Sequence, residues 1–230
     1  ILLVGDSHVV GYGQHFYDLF KAEGFNTYVY GCSGTRAIHY INGLDNCNGA
    51  LAIENSENSK NNLELTERFF NQKFKEYNPN IVVFSFGTNY LNANGVNSDN
   101  AITTLLDHVN GKKCFWVGAP ISKSKTNHIF SREINNELSR IIGDRCTFIN
   151  PVQISELEDK MTGGTFHFNS EGSKILAEAL HTKIIYGLSW YSNLMGEDPI
   201  TDSEVPSVTP GEERMIEGND EPVVYNRKQE

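Results

Sequence analysis

Five short apolar runs, each separated from the next by a segment with helical spacing, constrain this chain of 230 residues more than any other feature. They are Leu2–Val4, Thr27–Tyr30, Ile81–Phe86, Lys113–Val117 and Cys146–Ile149. A continuous apolar run of strand length reads as a strand covered on both faces, because a half-exposed strand alternates apolar with polar residues. Between the runs, Tyr12–Glu23 carries Phe16, Leu19 and Phe20 one helical turn apart, with Gly24 as its stop. Leu63–Tyr77 carries Leu65, Phe69, Phe70 and Phe74 and ends at Asn78-Pro79. Ser98–Asn110, residues 127–142 and Ser173–Ile185 continue the alternation, the last opened by Ser170-Glu171-Gly172. Alternating strands and helices predict an α/β protein, a three-layer α/β/α domain around a doubly wound, five-stranded parallel sheet.

Two stretches break the alternation. Residues 42–62 are rich in Asn, Ser and Gly with little apolar periodicity, which predicts a long loop that covers or shapes a site. From residue 196 onward, Pro199, Pro206, Pro210 and Pro222 punctuate an acidic stretch without periodicity. It predicts a disordered tail or linker, joined to a further domain or in contact with a basic partner. The chain therefore divides into a domain, 1–195, and a tail, 196–230. Of the formal net charge of −10, residues 196–230 carry −7, so the domain itself is close to neutral. It offers no basic face for neutralising phosphates, which argues against a nucleic-acid partner. A hydrophobic content of 39% is ordinary for one globular core, and no apolar stretch approaches the roughly 20 residues of a membrane-spanning helix. The first residue is Ile rather than Met, which is compatible with an upstream signal or domain.

Four cysteines allow three pairings. Cys32 and Cys47 lie in one loop region and Cys114 and Cys146 on successive strands, so the expected bridges are 32–47 and 114–146. The other reading of Cys114 and Cys146 is as small buried apolar residues. Oxidised pairs would indicate an exported protein. No CxxC or Cys/His cluster suggests a metal.

In open α/β sheets the chemistry lies beyond the C-terminal ends of the strands. Here the first run ends in Gly5-Asp6-Ser7-His8, the second leads into Cys32-Ser33-Gly34 and the third into Gly87-Thr88-Asn89, while His167 precedes the last helix. Each segment alone is ordinary turn chemistry. In this order they resemble the blocks of the SGNH (GDSL-type) hydrolase family, named for its Ser, Gly, Asn and His, over roughly residues 1–187. The resemblance implies a flavodoxin-like strand order of 2-1-3-4-5 and a serine esterase that uses no metal or organic cofactor.

By that resemblance Ser7 is the nucleophile and His167 its general base. A serine hydroxyl attacks well only when a base accepts its proton, and imidazole is the side chain that titrates near neutrality. The oxyanion hole would comprise the backbone N–H groups of Ser7 and Gly34 and the side-chain amide of Asn89, each such donor contributing about 3 kcal/mol. The chain departs from the family at one position. The carboxylate of the family's DxxH block falls on Gly164, and glycine supplies no acid. Three readings stand: a Ser-His dyad oriented by a backbone carbonyl, which is preferred; a substitute acid from Glu156, Glu158 or Asp159; or a domain that has lost catalysis.

The flanking residues each carry two readings. Asp6 reads as a turn residue bonding locally, and His8 as pocket-lining or solvent-facing. Arg36 would hold a substrate carboxylate or phosphate, or form a surface ion pair. Tyr12, Tyr40, Tyr90 and Phe166 would contact a sugar ring or acyl chain, or pack around the sheet edge, and Trp116 reads as core. The expected activity is removal of acyl groups, acetyl first, from carbohydrate or another exported glycan. The alternatives are a lipase or thioesterase with a deep apolar channel, an acyltransferase, and a non-catalytic glycan-binding domain.

Overall fold

The computed structural model describes residues 1–195, apart from 48, 55–56, 61–62, 91–95, 97–99, 121–124 and 163–165. The acidic tail, 196–230, and Gly164 lie outside the described residues. Five parallel strands form the centre: β1 (Leu2–Gly5), β2 (Tyr28–Cys32), β5 (Ile81–Ser85), β6 (Lys113–Val117) and β7 (Thr147–Ile149). Between the second and third of these the chain adds an antiparallel pair, β3 (Ala50–Glu54) and β4 (Glu57–Lys60), giving one sheet of seven strands in the order β4-β3-β2-β1-β5-β6-β7. The five parallel strands thus follow the expected 2-1-3-4-5 order.

The added pair corrects the expectation of a loop over 42–62. β3 joins the edge of β2 in antiparallel register, from Val29↔Ile53 to Cys32↔Ala50. Its sequence, Ala-Leu-Ala-Ile-Glu, buries Ala50, Leu51 and Ile53, but small alanines leave little apolar contrast between its two faces. β4 is Glu-Asn-Ser-Lys, the polar composition that keeps an outermost strand from recruiting another chain.

Among the described residues six helices cover the sheet: α1 (Ser7–Ala22), α2 (Ala37–Asn42), α3 (Phe69–Tyr77), α4 (Ala101–His108), α5 (Lys125–Ile142) and α6 (Ser170–Met195). Side chains of α1 and α6, among them Val9, Phe16, Phe20, Leu176, Leu180 and Ile184, form one buried cluster with Leu3 of β1. The next residues along, Leu2 and Val4, belong to the opposite cluster with Tyr40, Phe70, Leu105 and Leu138 from α2 to α5. Alternate side chains of a buried strand feed opposite layers, and this gives the three-layer α/β/α sandwich. Trp116 is fully buried, as expected, and its indole N–H donates to the Phe86 carbonyl oxygen at 3.0 Å.

Other boundaries differ from the sequence reading: α3 begins at Phe69 rather than Leu63, with Arg68 before it in a left-handed conformation. α1 begins at Ser7 rather than Tyr12, because Asp6 caps it. α6 extends past residue 185 to Met195. Both expected disulfides are present, Cys32–Cys47 and Cys114–Cys146. No described helix is long and apolar enough to cross a membrane.

Candidate active site

β1 is flanked by β2 and β5, so the turns that follow these three strands meet at one edge of the sheet. Gly5 closes β1 where there is no room for a side chain: a Cβ there would lie 2.5 Å from the Ser85 carbonyl oxygen. The chain then enters α1 immediately, with Ser7 as its first residue. The Asp6 carboxylate accepts the His8 N–H at 2.9 Å, and the Asp6 carbonyl accepts from Val9 and Val10. Those bonds satisfy the next donors of the turn and leave the Ser7 N–H without a partner among the described residues. An unpaired N–H at a helix N-terminus is a ready donor for negative charge.

Gly34 follows β2 with φ of +79°, a left-handed conformation that glycine adopts without strain. The Thr35 N–H reaches back to the Cys32 carbonyl at 3.4 Å and the Thr35 hydroxyl to the same oxygen at 2.6 Å, closing the turn around Gly34. Cys32 is also bonded to Cys47, so the turn is covalently pinned on its strand side. Asn89 sits on a short 3-10 turn, Thr88–Tyr90, after β5. Its amide nitrogen donates to the Thr35 carbonyl at 2.8 Å and lies 3.5 Å from Asp6 Oδ2. One side chain therefore ties together the turns after β1, β2 and β5.

His167 arrives from the far end of the chain. The Met161↔Phe168 bridge folds this segment back on itself, and the Thr162 N–H and hydroxyl both donate to the His167 carbonyl, at 2.8 and 3.0 Å. The imidazole Nε2 stands 2.8 Å from Ser7 Oγ. This is hydrogen-bond reach for a nucleophile and its base.

Behind the pair lies His8, buried against Phe168 and His167 with ring centroids 5.5 Å from each. The sequence offered pocket lining or solvent for this residue, and the fold turns it inward. Its Nε2 has no hydrogen-bond partner among the described residues. Burial, then repulsion from His167, pushes the imidazole down to about 3, so His8 is neutral across the physiological range. Asp6 is buried too, as the capping and turn residue expected of it. Its desolvation outweighs the N–H groups of His8, Gly87 and its own backbone and pushes the carboxyl up to about 7.

The other expected residues scatter. Glu156, Glu158 and Asp159 are exposed on a 3-10 segment, Ser155–Lys160, and Glu156 accepts from the Ser155 hydroxyl. Arg36 is half-buried at the start of α2, where its N–H donates to His39 Nδ1. Phe166 is half-buried against the α1–α6 cluster. Tyr90 is a correction: its ring is wholly buried in the opposite core cluster and offers no surface to a substrate. Tyr12 and Tyr40 are likewise buried. The Tyr40 hydroxyl donates to the Gly5 carbonyl at 2.6 Å, bracing β1 below Ser7, and no local pattern in the sequence marks it for that role. Among the described residues no cluster of metal-ligating side chains occurs.

No protein-family model and no curated protein matches the chain. Solved structures do. A peptidoglycan O-acetylesterase superposes with a TM-score of 0.51 at 12% identity, covering 81% of this chain and 90% of its own. An acetyl xylan esterase from the rumen bacterium Butyrivibrio proteoclasticus gives a TM-score of 0.44 at 14% identity, covering 83% of this chain and 64% of its own. At such identity the likeness concerns the fold alone, the α/β/α sandwich that this chain shares with the first of these structures.

Proposed function

We propose that the protein is an exported serine esterase that removes O-acetyl groups from carbohydrate or another glycan. The observation that carries this reading is the 2.8 Å contact between Ser7 Oγ and His167 Nε2, beside the Ser7 N–H, Gly34 and the Asn89 amide. His167 takes the hydroxyl proton as Ser7 attacks the ester carbonyl. The oxyanion forms against the donors, and collapse expels the sugar alcohol with the proton returned by His167. Water activated by His167 then releases acetate from the acyl-serine. Bonded cysteine pairs support export, because such pairs persist in oxidising compartments. The acetylated glycans named for the two structural neighbours support the choice of substrate class.

The test is hydrolysis of p-nitrophenyl acetate and butyrate by wild type, Ser7→Ala and His167→Ala, with fluorophosphonate labelling. Turnover of acetate ahead of butyrate, with labelling lost in Ser7→Ala, supports the esterase. Gly164, where the family carries its acid, favours a second reading: a glycan-binding domain without turnover. Wild type that neither labels nor hydrolyses, yet retains acetylated glycan, would establish that reading instead.

A further inference from the structure

We propose that Asp6 is a positioning residue for Asn89: its carboxylate draws the second amide N–H of Asn89 away from the oxyanion, and its neutral form releases that N–H to the reaction. This inference rests on the esterase reading and adds to it a control over the oxyanion hole.

A side-chain amide has two N–H groups. In Asn89 the Thr35 carbonyl takes one at 2.8 Å, and the nitrogen lies 3.5 Å from Asp6 Oδ2. The second distance is long for a saturated hydrogen bond, so the N–H toward Asp6 remains open to competition. Asp6 cannot swing away, because its other oxygen is held by the His8 N–H at 2.9 Å. The group is 1% exposed, and at such a site little water screens its charge. An ionised Asp6 thus acts on the oxyanion twice, by competing for a donor and by placing a like charge nearby.

The other titratable groups facing Asp6 hold their charge state near neutrality. Tyr12 from α1 and Tyr40 from α2 are both pushed above the ordinary tyrosine range by burial, so they stay neutral. His8 stays neutral because burial pushes it down to about 3. What opposes the desolvation of Asp6 is backbone N–H groups rather than cations, and its carboxyl is pushed up to about 7. The charge beside Asn89 therefore changes within the working range of a histidine base.

The experiment is the pH profile of kcat for p-nitrophenyl acetate, corrected for spontaneous hydrolysis, in wild type, Asp6→Asn and Asn89→Ala, with fluorophosphonate titration of competent Ser7 at each pH. Asn caps a helix about as well as Asp, so the substitution keeps the start of α1. The expected result is a decline of about tenfold in wild type between pH 7 and 9, a fraction of what one oxyanion donor supplies. Asp6→Asn should lack the decline, and Asn89→Ala should be low throughout, keeping only the smaller decline that the Asp6 charge imposes by itself. An alkaline decline that persists in Asp6→Asn overturns the proposal, as does its absence in wild type. Wild type that neither labels nor turns over at any pH overturns the esterase reading as well. A measurement without variants stands beside it: the side-chain amide resonances of Asn89 should titrate with the same midpoint as the Asp6 carboxyl carbon. Resonances of Asn89 that do not move through that midpoint overturn the proposal.

Discussion

Ser7 Oγ and His167 Nε2 stand 2.8 Å apart although 160 positions separate them in the chain. Contact across such a separation requires the whole α/β/α domain, with Ser7 fixed at the tip of a central strand and His167 delivered just ahead of α6.

Removal of either partner should abolish the chemistry while leaving the core intact. Ser7→Ala and His167→Ala are each expected to lower kcat for p-nitrophenyl acetate by about 10³-fold or more, and the double variant by little beyond either single one. Both side chains lie outside the packed interior, so thermal unfolding should shift by less than about 1 kcal/mol. Additive losses in the double variant would show that the two residues do not act as a unit.

His8 should make stability fall in acid. Its imidazole is pushed down to about 3 in the folded state, below the unfolded value of 6.5. The stability it contributes is full above about 6.5 and is lost as pH falls toward 3. His8→Phe keeps a ring against His167 and Phe168 without a group to protonate. Urea denaturation at pH 7 and pH 4 should show the variant losing less stability than wild type, by a difference on the order of 2 kcal/mol.

Asp6 should make stability fall in the opposite direction. Its carboxyl is pushed up from 3.8 to about 7 in the folded state, so its contribution is full below about pH 4 and is lost as pH rises through 7. Asp6→Asn carries no charge to desolvate. It should match wild type at pH 4 and exceed it at pH 8.5 by at most about 4 kcal/mol in the same denaturation assay. Equal stabilities at pH 8.5 would mean that Asp6 ionises in the fold without penalty.

The two disulfides should separate stability from activity. Cys114–Cys146 ties β6 to the start of β7, and a bridge spanning 32 positions restricts the unfolded chain by roughly 3–4 kcal/mol. Replacing both cysteines by Ala should lower stability and leave kcat near wild type. Cys32–Cys47 pins the turn that presents Gly34, so its removal should lower kcat as well. Thermal melts and acetate turnover on the two double variants distinguish these outcomes.

The five parallel strands were legible because each is buried on both faces and therefore reads as an unbroken apolar run, Ile81–Ser85 most plainly. The hairpin of β3 and β4 was not, because one strand carries alanines and the other is polar, and its pairing partner lies on β2 rather than nearby in sequence. The early start of α1 was hidden by Gly11 and Gly13, which weaken helical propensity where the Asp6 cap decides the boundary. At the candidate site, Ser7, Gly34 and Asn89 stood out as motif residues at strand ends and His167 as the residue ahead of the last helix. His8 and Tyr90 could not be placed, since which way a ring faces is set by α6 and the core rather than by neighbours in sequence.

Ser7 and His167, the proposed catalytic pair, are moored with unequal strength. Ser7 springs from β1, which is hydrogen-bonded on both sides, and moving it means breaking the middle of the sheet. On the other side, the described bonds that seat His167 are the Met161↔Phe168 bridge, the two Thr162 donors and the Asn169 N–H to the Lys160 carbonyl, all within one short segment. Opening of the Met161↔Phe168 pairing would part His167 from Ser7 at a fraction of the unfolding free energy. Amide exchange at Thr162 should accordingly run ahead of exchange at Val4, with the strand that presents Ser7 as the slow reference.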